Sequence, residues 1–201
     1  MTDLLLVAAG YLVGSLPFGY WLVLLVKHED VRRRGSGNIG ASNVWRTYGR
    51  TLGVPVALLD VAKGFVPALA GLELGGEWVG VLAGIAAMIG HARPIFLGFR
   101  AGGKMVATAG GVSFALMPLA AVCCLVIWVA LFLLTRYASV ASMLTAAGLP
   151  LLALAFDEPW PTIAFGIAAC VGVIVLHRRN IRRLLNGTES RFRFSRAAGA
   201  G

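Results

Sequence analysis

The stretch from Leu4 to Val26 is a run of 23 residues without a charged side chain. A helix rises about 1.5 Å per residue, so this run is long enough to cross a hydrocarbon core of about 30 Å. Inside a bilayer the backbone has no water to bind and must satisfy its own hydrogen bonds, which favours helices. Hydrophobic residues make up 58% of the 201 residues, well above an ordinary soluble domain. The sequence therefore predicts an all-α integral membrane protein.

Basic residues follow the first run directly, at Lys27 and at 32–34. By the positive-inside rule this end is cytoplasmic, which places the N-terminus outside. The net charge of +9 comes from basic residues that lie beside apolar runs rather than in a solvated arm. This pattern favours lipid headgroups and anionic substrates as partners, and we expect no nucleic acid.

The charge-free stretch 105–135 is about 46 Å long as one helix, more than one crossing needs. One crossing would put Arg136 and the basic run 177–183 on the side opposite Lys104. Two short crossings that turn near 117–118 keep all three cytoplasmic. We therefore predict a single membrane domain over 1–201, with seven transmembrane helices, the N-terminus outside and the C-terminus cytoplasmic. The predicted spans are 4–26, 52–72, 78–97, 105–117, 119–135, 138–156 and 160–176.

The second span carries two charged side chains, Asp60 and Lys63. Residues three apart share a helix face, so the pair is expected to neutralise itself. A charged pair at membrane depth also marks a candidate functional position.

Residues 35–46 form a polar, glycine-rich stretch in an otherwise apolar chain. Glycines at 35, 37 and 40 allow successive backbone N–H groups to converge, and Ser and Asn side chains add donors. Arg46 adds a positive charge. The stretch therefore predicts an anion-binding loop, although a plain polar loop between two spans has the same composition.

Three further polar clusters fall on the predicted cytoplasmic face: 90–104, 139–142 and 177–189. Lys104 with two preceding glycines is suited to a second phosphate. The sequence has no Walker A spacing, no paired carboxylates for magnesium on this face and no zinc-ligand cluster. We therefore expect no metal or cofactor, and a membrane site for two phosphorylated compounds, at least one of them lipid-like.

Several motifs occur in order along the chain: Gly-Ser-Gly-Asn-Ile-Gly-Ala-Ser-Asn at 35–43 with Arg46, Gly90-His91-x-x-Pro94-x-Phe96, Gly102-Gly103-Lys104-x-Val106-Ala107-Thr108, His177-Arg178-x-Asn180 and Gly187-Thr188-Glu189. Together they resemble the bacterial acyl-phosphate:glycerol-3-phosphate acyltransferases, a family that is similar in size and has seven spans with the N-terminus outside. The resemblance implies transfer of a fatty acyl group from acyl phosphate to the 1-hydroxyl of glycerol 3-phosphate, giving lysophosphatidic acid and phosphate, without acyl-CoA or a metal.

The resemblance also implies roles for individual residues. It makes Ser36 and Arg46 essential, His177 and Asn180 catalytic or substrate-orienting, and Glu189 structural. The glycerol-phosphate loop is carried onto Gly102, Gly103 and Lys104. The remaining candidates for substrate binding are Asn38, Gly40, Ser42, Asn43, His91 and Ser142.

Two of these candidates have structural alternatives. His91 precedes a proline bend and could cap a helix end instead of transferring a proton. Ser142 could donate a hydrogen bond to a substrate or be an ordinary packing serine.

We expect the protein to be a monomer in the bacterial inner membrane, with its active site toward the cytoplasm.

An acyl phosphate already carries a good leaving group, so the enzyme chiefly has to bring two anions together and stabilise an oxyanion. We expect direct transfer, because no Ser-His-Asp set accompanies Ser36. The oxyanion donors would be backbone N–H groups of 37–43 or the Asn180 amide. Candidate proton acceptors are His177, His91 and a phosphate oxygen of the substrate, toward which the resemblance leans.

The loop at 99–108 departs from the family pattern Phe-Lys-Gly-Gly-Lys-Gly-Val-Ala-Thr. This chain has one extra residue and places Met105 where the family has glycine. The phosphate loop is therefore expected to have a different shape, with consequences for glycerol-phosphate affinity or for the identity of the acceptor.

The main alternative is a transporter or binder of a phosphorylated metabolite, which would use the same anion site without chemistry. Such a protein needs a polar route through its spans, and apart from Asp60 and Lys63 the spans supply almost no polar groups. A structural lipid-binding scaffold would leave the clustering of polar residues unexplained.

Overall fold

The computed structural model describes residues 1–100 and 102–192, and these form a bundle of helices. Short 3-10 turns lie at Val31–Arg33 and Ile95–Leu97. The α-helices are α1 Thr2–Gly14, α2 Phe18–Lys27, α3 Ala41–Tyr48, α4 Arg50–Gly75, α5 Glu77–Ala92, α6 Val106–Leu116, α7 Pro118–Thr135, α8 Ala138–Ala155, α9 Trp160–Leu176 and α10 Arg178–Leu185.

The first apolar run is a helix, a break and a second helix. Helix α1 ends at Gly14 and α2 begins at Phe18. Pro17 explains the break, because proline lacks an N–H and disfavours helical backbone at the residue before it. The carbonyl of Leu16 accepts a hydrogen bond from Lys63 Nζ at 3.0 Å. A charged side chain from α4 thus binds backbone that the break leaves outside the helices.

Within the described part of the chain, five helical segments are long and apolar enough to cross a membrane. A sixth is possible if α9 and α10, bent by 56° at His177, count as one span. The stretch 105–135 is two helices that meet at Met117, and α6 is only 11 residues long. The structure therefore establishes an all-helical, multi-pass membrane fold, and the seven-span topology remains a prediction.

Small residues bring helix backbones into direct contact. A Cβ on Gly14 would overlap the carbonyl oxygen of Ala87, and one on Gly64 would overlap that of Thr108. Close approach of this kind drives helix association in lipid, where burying apolar side chains gains little. It fixes α1 against α5, and α4 against α6.

Buried side chains hold the polar stretch 35–46 onto the bundle. Ile39 and Val44 are 2% and 0% exposed and belong to a cluster with Val23 of α2 and Val56 of α4. The polar groups of the stretch therefore project from a packed base, which limits their movement.

The two charged residues of α4 form a buried ion pair. Lys63 Nζ lies 2.9 Å from Asp60 Oδ1, and the two side chains are 1% and 3% exposed. His91 faces the same carboxylate, with Nδ1 at 3.6 Å from Asp60 Oδ1. The spacing of three residues thus gives the expected neutralising pair.

We predict that Lys63→Met destabilises the protein more than the double substitution Asp60→Asn/Lys63→Met. The single change leaves a buried carboxylate without its cation, which costs about 3–5 kcal/mol, whereas the double change leaves no charge. Thermal or denaturant unfolding in detergent measures both, and both lose the hydrogen bond to Leu16 equally. A double variant that is less stable than Lys63→Met would contradict the prediction.

Candidate active site

The polar stretch is only partly a loop. Residues 35–40 are irregular, whereas α3 begins at Ala41, so the expectation of a loop through residue 46 is wrong for its second half. Backbone N–H groups at the start of a helix favour anions, so the helical second half is compatible with the predicted phosphate site.

Asn43 holds the irregular half in shape from inside. Its Oδ1 accepts the N–H of Ser36 at 2.9 Å, and its Nδ2 donates to the carbonyls of Arg34 and Asn38 at 3.2 and 2.8 Å. The side chain is 3% exposed. All its polar atoms bind backbone, so these contacts support a positioning role for Asn43.

Asn38 joins this loop to the second predicted phosphate loop. Its Oδ1 accepts the N–H of Gly40 at 2.7 Å, and its Nδ2 donates to the carbonyl of Gly102 at 3.3 Å. The N–H of Gly103 donates to the carbonyl of His91 at 2.9 Å. A Cβ on Gly102 would overlap the Ala92 carbonyl, so the two glycines set the path of the chain that leads to Lys104.

Lys104 begins a chain of hydrogen bonds that crosses the site. Its Nζ donates to Asn180 Oδ1 at 2.7 Å, and Asn180 Nδ2 donates to Glu189 Oε1 at 2.6 Å. Ser139 Oγ donates to the same Glu189 oxygen at 2.7 Å, while Arg183 Nε donates to Oε2 at 2.6 Å. Glu189 therefore fixes α10 and α8 relative to the lysine.

The electrostatics of this chain follow from burial and charge. Burial alone would raise the pKa of Glu189, but hydrogen bonds from Asn180, Ser139 and Arg183 together outweigh it and lower that pKa. Burial lowers the pKa of Lys104 to about 8, although Glu189 opposes the shift. The lysine is thus charged at neutral pH and close to losing its proton.

His177 lies at the bend between α9 and α10 and is 3% exposed. Its Nδ1 lies 2.8 Å from the carbonyl oxygen of Val173. A carbonyl can only accept, so Nδ1 carries the proton in the neutral ring and Nε2 is an acceptor. This tautomer equips His177 to accept a hydrogen bond from a hydroxyl.

Two other candidates have internal partners. Ser142 Oγ donates to the carbonyl of Ala138 at 2.7 Å and accepts from Trp128 Nε1 at 3.1 Å, which supports the packing role. The ring of His91 lies between Asp60 and Gly103, where an added Cβ would overlap Nε2. These contacts favour a supporting role for His91 beneath the 102–104 loop.

The predicted site residues converge on one pocket of about 550 Å³, a size typical of substrate sites. All of them except Gly102 and Gly103 line it. The predicted residues in the lining are Ser36, Asn38, Gly40, Ser42, Asn43, Arg46, His91, Lys104, Ser142, His177, Asn180 and Glu189. Further polar lining residues are Asp60, Ser113, Ser139, Thr145 and Arg183. The apolar lining includes Phe114, Leu125, Trp128, Val129, Phe132, Leu149 and Val173.

Sequence reasoning missed several parts of the pocket. Trp128 and Phe132 belong to a run that is apolar on every side, so nothing in the sequence distinguishes the pocket face from the lipid face. The basic composition of the tail 191–196 predicts contact with anionic lipid, yet Phe192 is 6% exposed and lines the pocket. The rest of that tail, 193–196, lies outside the described residues. Three further lining residues do have a sequence signal: Ser139 in the cluster 139–142, Arg183 in the cluster 177–189, and Asp60 with its charge at membrane depth.

Met105 explains how the departure from the family loop is accommodated. It has φ 67° and ψ −10°, the left-handed conformation that glycine adopts without steric cost. Its side chain packs against the central core cluster that includes Phe165 and Ala169. The backbone thus keeps a glycine-like turn before α6, while Ala101 lies outside the described residues.

In the part of the chain that the structure describes, His, Cys, Asp and Glu side chains form no cluster of three that could hold a metal ion. What the pocket offers is a cationic, hydrogen-bonding end that continues into an apolar cavity between membrane helices. These features define a membrane protein that handles phosphorylated, lipid-like molecules.

The chain belongs to the glycerol-3-phosphate acyltransferase family, whose model matches residues 4–187. The glycerol-3-phosphate acyltransferase of Geobacter sulfurreducens is 44% identical over 96% of this chain and 99% of that protein. The one from Aquifex aeolicus is 42% identical, over 96% and 100%.

Two solved structures are also similar, both of PlsY, an integral membrane glycerol 3-phosphate acyltransferase. The glycerol 3-phosphate form has a TM-score of 0.92 at 42% identity and covers 96% of both chains. The lysophosphatidic acid form has a TM-score of 0.89 at 40% identity, with the same coverage. The resemblance found in the motifs is thereby confirmed at the level of family and fold.

We predict that Met105→Gly is more stable than Met105→Ala by about 1 kcal/mol. Both lose the same packing, but only glycine adopts positive φ without a Cβ penalty of about 1–2 kcal/mol. Denaturant unfolding of the two variants in one detergent measures the difference. Equal stability, or a more stable alanine variant, would show that the turn relaxes when the methionine is removed.

Proposed function

We propose that this protein transfers a fatty acyl group from acyl phosphate to the 1-hydroxyl of glycerol 3-phosphate. The products are lysophosphatidic acid and inorganic phosphate, the first acylation of phospholipid synthesis. The observation that carries the proposal is one pocket in which Lys104, Arg46 and Asn180 line a cationic end that opens into an apolar cavity. A phosphorylated acceptor and an acyl chain need these two environments side by side. Names of the relatives and of the PlsY structures support the same reaction.

The two cations are assigned to different phosphates. Lys104, placed by the 102–103 backbone and bound to Asn180, takes the phosphate of glycerol 3-phosphate. Arg46, with Ser36 and the start of α3, takes the phosphate of the donor. The cations offset the repulsion between the two anions, which is the main obstacle to bringing them together.

Transfer is direct. The 1-hydroxyl oxygen attacks the acyl carbon, a tetrahedral oxyanion forms, and the bond to the phosphate oxygen breaks. The Ser42 amide in the first turn of α3, or the Asn180 side chain, stabilises the oxyanion. His177 accepts the hydrogen bond of the attacking hydroxyl at Nε2, and the proton leaves on the departing phosphate, so the atoms balance without a covalent Ser36 intermediate.

The remaining candidates support this machinery. Asn38 and Asn43 hold the 35–40 loop. Gly40 directly precedes α3, and a Cβ there would crowd the Oδ1 of Asn38. The Glu189 carboxylate accepts hydrogen bonds from Asn180 and Arg183, which agrees with the structural role that the resemblance gives it.

We further propose that the chain crosses the bacterial inner membrane seven times, with the N-terminus outside, the pocket toward the cytoplasm, and a monomer as the working unit. The asymmetry of basic residues supports this topology. It requires α1 and α2 to cross as one broken helix, α6 to make a short crossing, and α9 with His177 to end at the cytoplasmic face.

The reaction is tested by giving purified protein palmitoyl phosphate and glycerol 3-phosphate. We expect phosphate and lysophosphatidic acid in equal amounts, and a loss of at least about 100-fold in kcat/KM for Ser36→Ala and for Lys104→Ala. Lys27→Ala removes an exposed lysine outside the pocket and is the matched control, with expected wild-type activity. Folded wild-type protein that binds glycerol 3-phosphate without forming product would reject the reaction and favour a binder or transporter.

We predict that kcat/KM for glycerol 3-phosphate falls above pH 8. The pKa of Lys104 is lowered to about 8, so the free enzyme carries the charge below that pH and loses it as pH rises through that value. Lys104→Arg stays charged because arginine does not titrate in this range, so its lower activity should hold to about pH 9.5. Initial rates at each pH, corrected for spontaneous hydrolysis of the donor, give the two profiles. Parallel declines would assign the titration to another group.

A further inference from the structure

Phe192 is held in the pocket by several elements, although it lies beyond the last helix. Its N–H donates to the carbonyl of Arg136 at 2.8 Å, at the turn between α7 and α8. Its ring meets Phe132 of α7 edge to face, at 5.0 Å between centroids and 80° between planes. It also meets Trp45 of α3 edge to face at 6.3 Å. The side chain therefore connects α3 with α7, two helices that line the pocket.

The face of this ring points at Arg46. The guanidinium carbon of Arg46 lies 4.8 Å from the centroid of the Phe192 ring. A cation over an aromatic face is attracted by the ring quadrupole, and arginine also gains from planar stacking. The contact restrains one of the two cations assigned to substrate phosphates.

Edge-to-face packing fixes the ring that Arg46 rests on. The rings of Phe132 and Trp45 both pack against Phe192, and the backbone hydrogen bond to Arg136 fixes the position of the main chain at residue 192. A long arginine side chain has many rotamers, and ordering it costs conformational entropy each time a phosphate binds. A rigid ring beneath the guanidinium removes part of that cost in advance.

We propose that Phe192 is a positioning residue that holds the Arg46 guanidinium ready for the phosphate of the acyl donor. The inference rests on the proposed function, in which Arg46 binds the donor and Lys104 the acceptor. In this role the ring acts through the arginine, so its removal should weaken donor binding and leave acceptor binding in place.

The test uses the full-length protein with Phe192→Leu and Phe192→Met, which keep apolar bulk and lose the ring. We expect the KM for palmitoyl phosphate to rise about fivefold to tenfold, the size of one cation–π contact. The KM for glycerol 3-phosphate should stay within about twofold. Phe192→Tyr keeps the ring, so the KM for palmitoyl phosphate and the KM for glycerol 3-phosphate should both stay near the wild-type values.

Inhibition by inorganic phosphate distinguishes an effect of Phe192 through Arg46 from a direct contact between Phe192 and the acyl chain. As the product released from the donor site it should compete with palmitoyl phosphate, and it has no chain to touch Phe192. Its inhibition constant should rise by the same factor in Phe192→Leu as the KM for the donor does. A raised KM with an unchanged inhibition constant would mean that Phe192 contacts the chain instead, which overturns the proposal.

A neighbouring cation–π pair provides the matched control. Arg191 lies over the ring of Tyr137 at 5.1 Å, in the same segment but away from the pocket lining. Arg191→Gln should leave both KM values unchanged. If it shifts the donor KM as much as Phe192→Leu does, docking of the segment, and not the ring, is what matters.

The outcomes separate the two proposals. Wild-type protein without transferase activity rejects the proposed function itself. An active wild type with Phe192→Leu and Phe192→Met indistinguishable from it rejects only the inference. Equal rises in both KM values, or a lower melting temperature with lower kcat that Phe192→Tyr does not restore, indicate a general packing role and also reject it.

Discussion

A buried carboxylate at Glu189 organises the polar end of the pocket. A charge removed from water is costly unless hydrogen bonds and counter-charges replace its hydration. Glu189 meets this requirement with three donors on two helices, Ser139 on α8 and Asn180 and Arg183 on α10. Satisfying one anion thereby fixes α8, α10 and the segment that carries Glu189 relative to each other, and through Asn180 it also fixes the ammonium of Lys104.

The bundle solves the opposite problem, that of helix association where lipid competes for apolar contacts. Close backbone approach at Gly14 and Gly64 holds together the helices that carry the site, and the two charged side chains of α4 are paired within the bundle. The Asp60–Lys63 pair shows both aspects, since it neutralises itself and also binds the Leu16 carbonyl at the break. The helices then present two short, well-held loops that we assign to the substrate phosphates.

Sequence predicts most of the site because its chemistry is local. The glycine-rich motif around Ser36 and the Gly-Gly-Lys motif at 102–104 stand out against an apolar background, and the structure brings them together. The sequence does not predict contacts whose second residue lies elsewhere in the chain. Examples are the hydrogen bonds of Asn43 to backbone, the bond between Ser142 and Trp128, and the packing of Phe192 under Arg46. Apolar runs have no periodicity from which to separate pocket from lipid, and Pro17 alone marks the broken first helix.

The position of Glu189 in the chain has a consequence for biosynthesis. The partners of its carboxylate lie earlier in the sequence, and the residue itself follows the last helix by only a few positions. Glu189 is therefore synthesised after every residue that donates a hydrogen bond to it. Until that segment is released and folds back onto α8 and α10, the inserted protein has its cations but no fixed arrangement for them. The polar end of the pocket can therefore take its final arrangement only after the helices that carry its donors have been made.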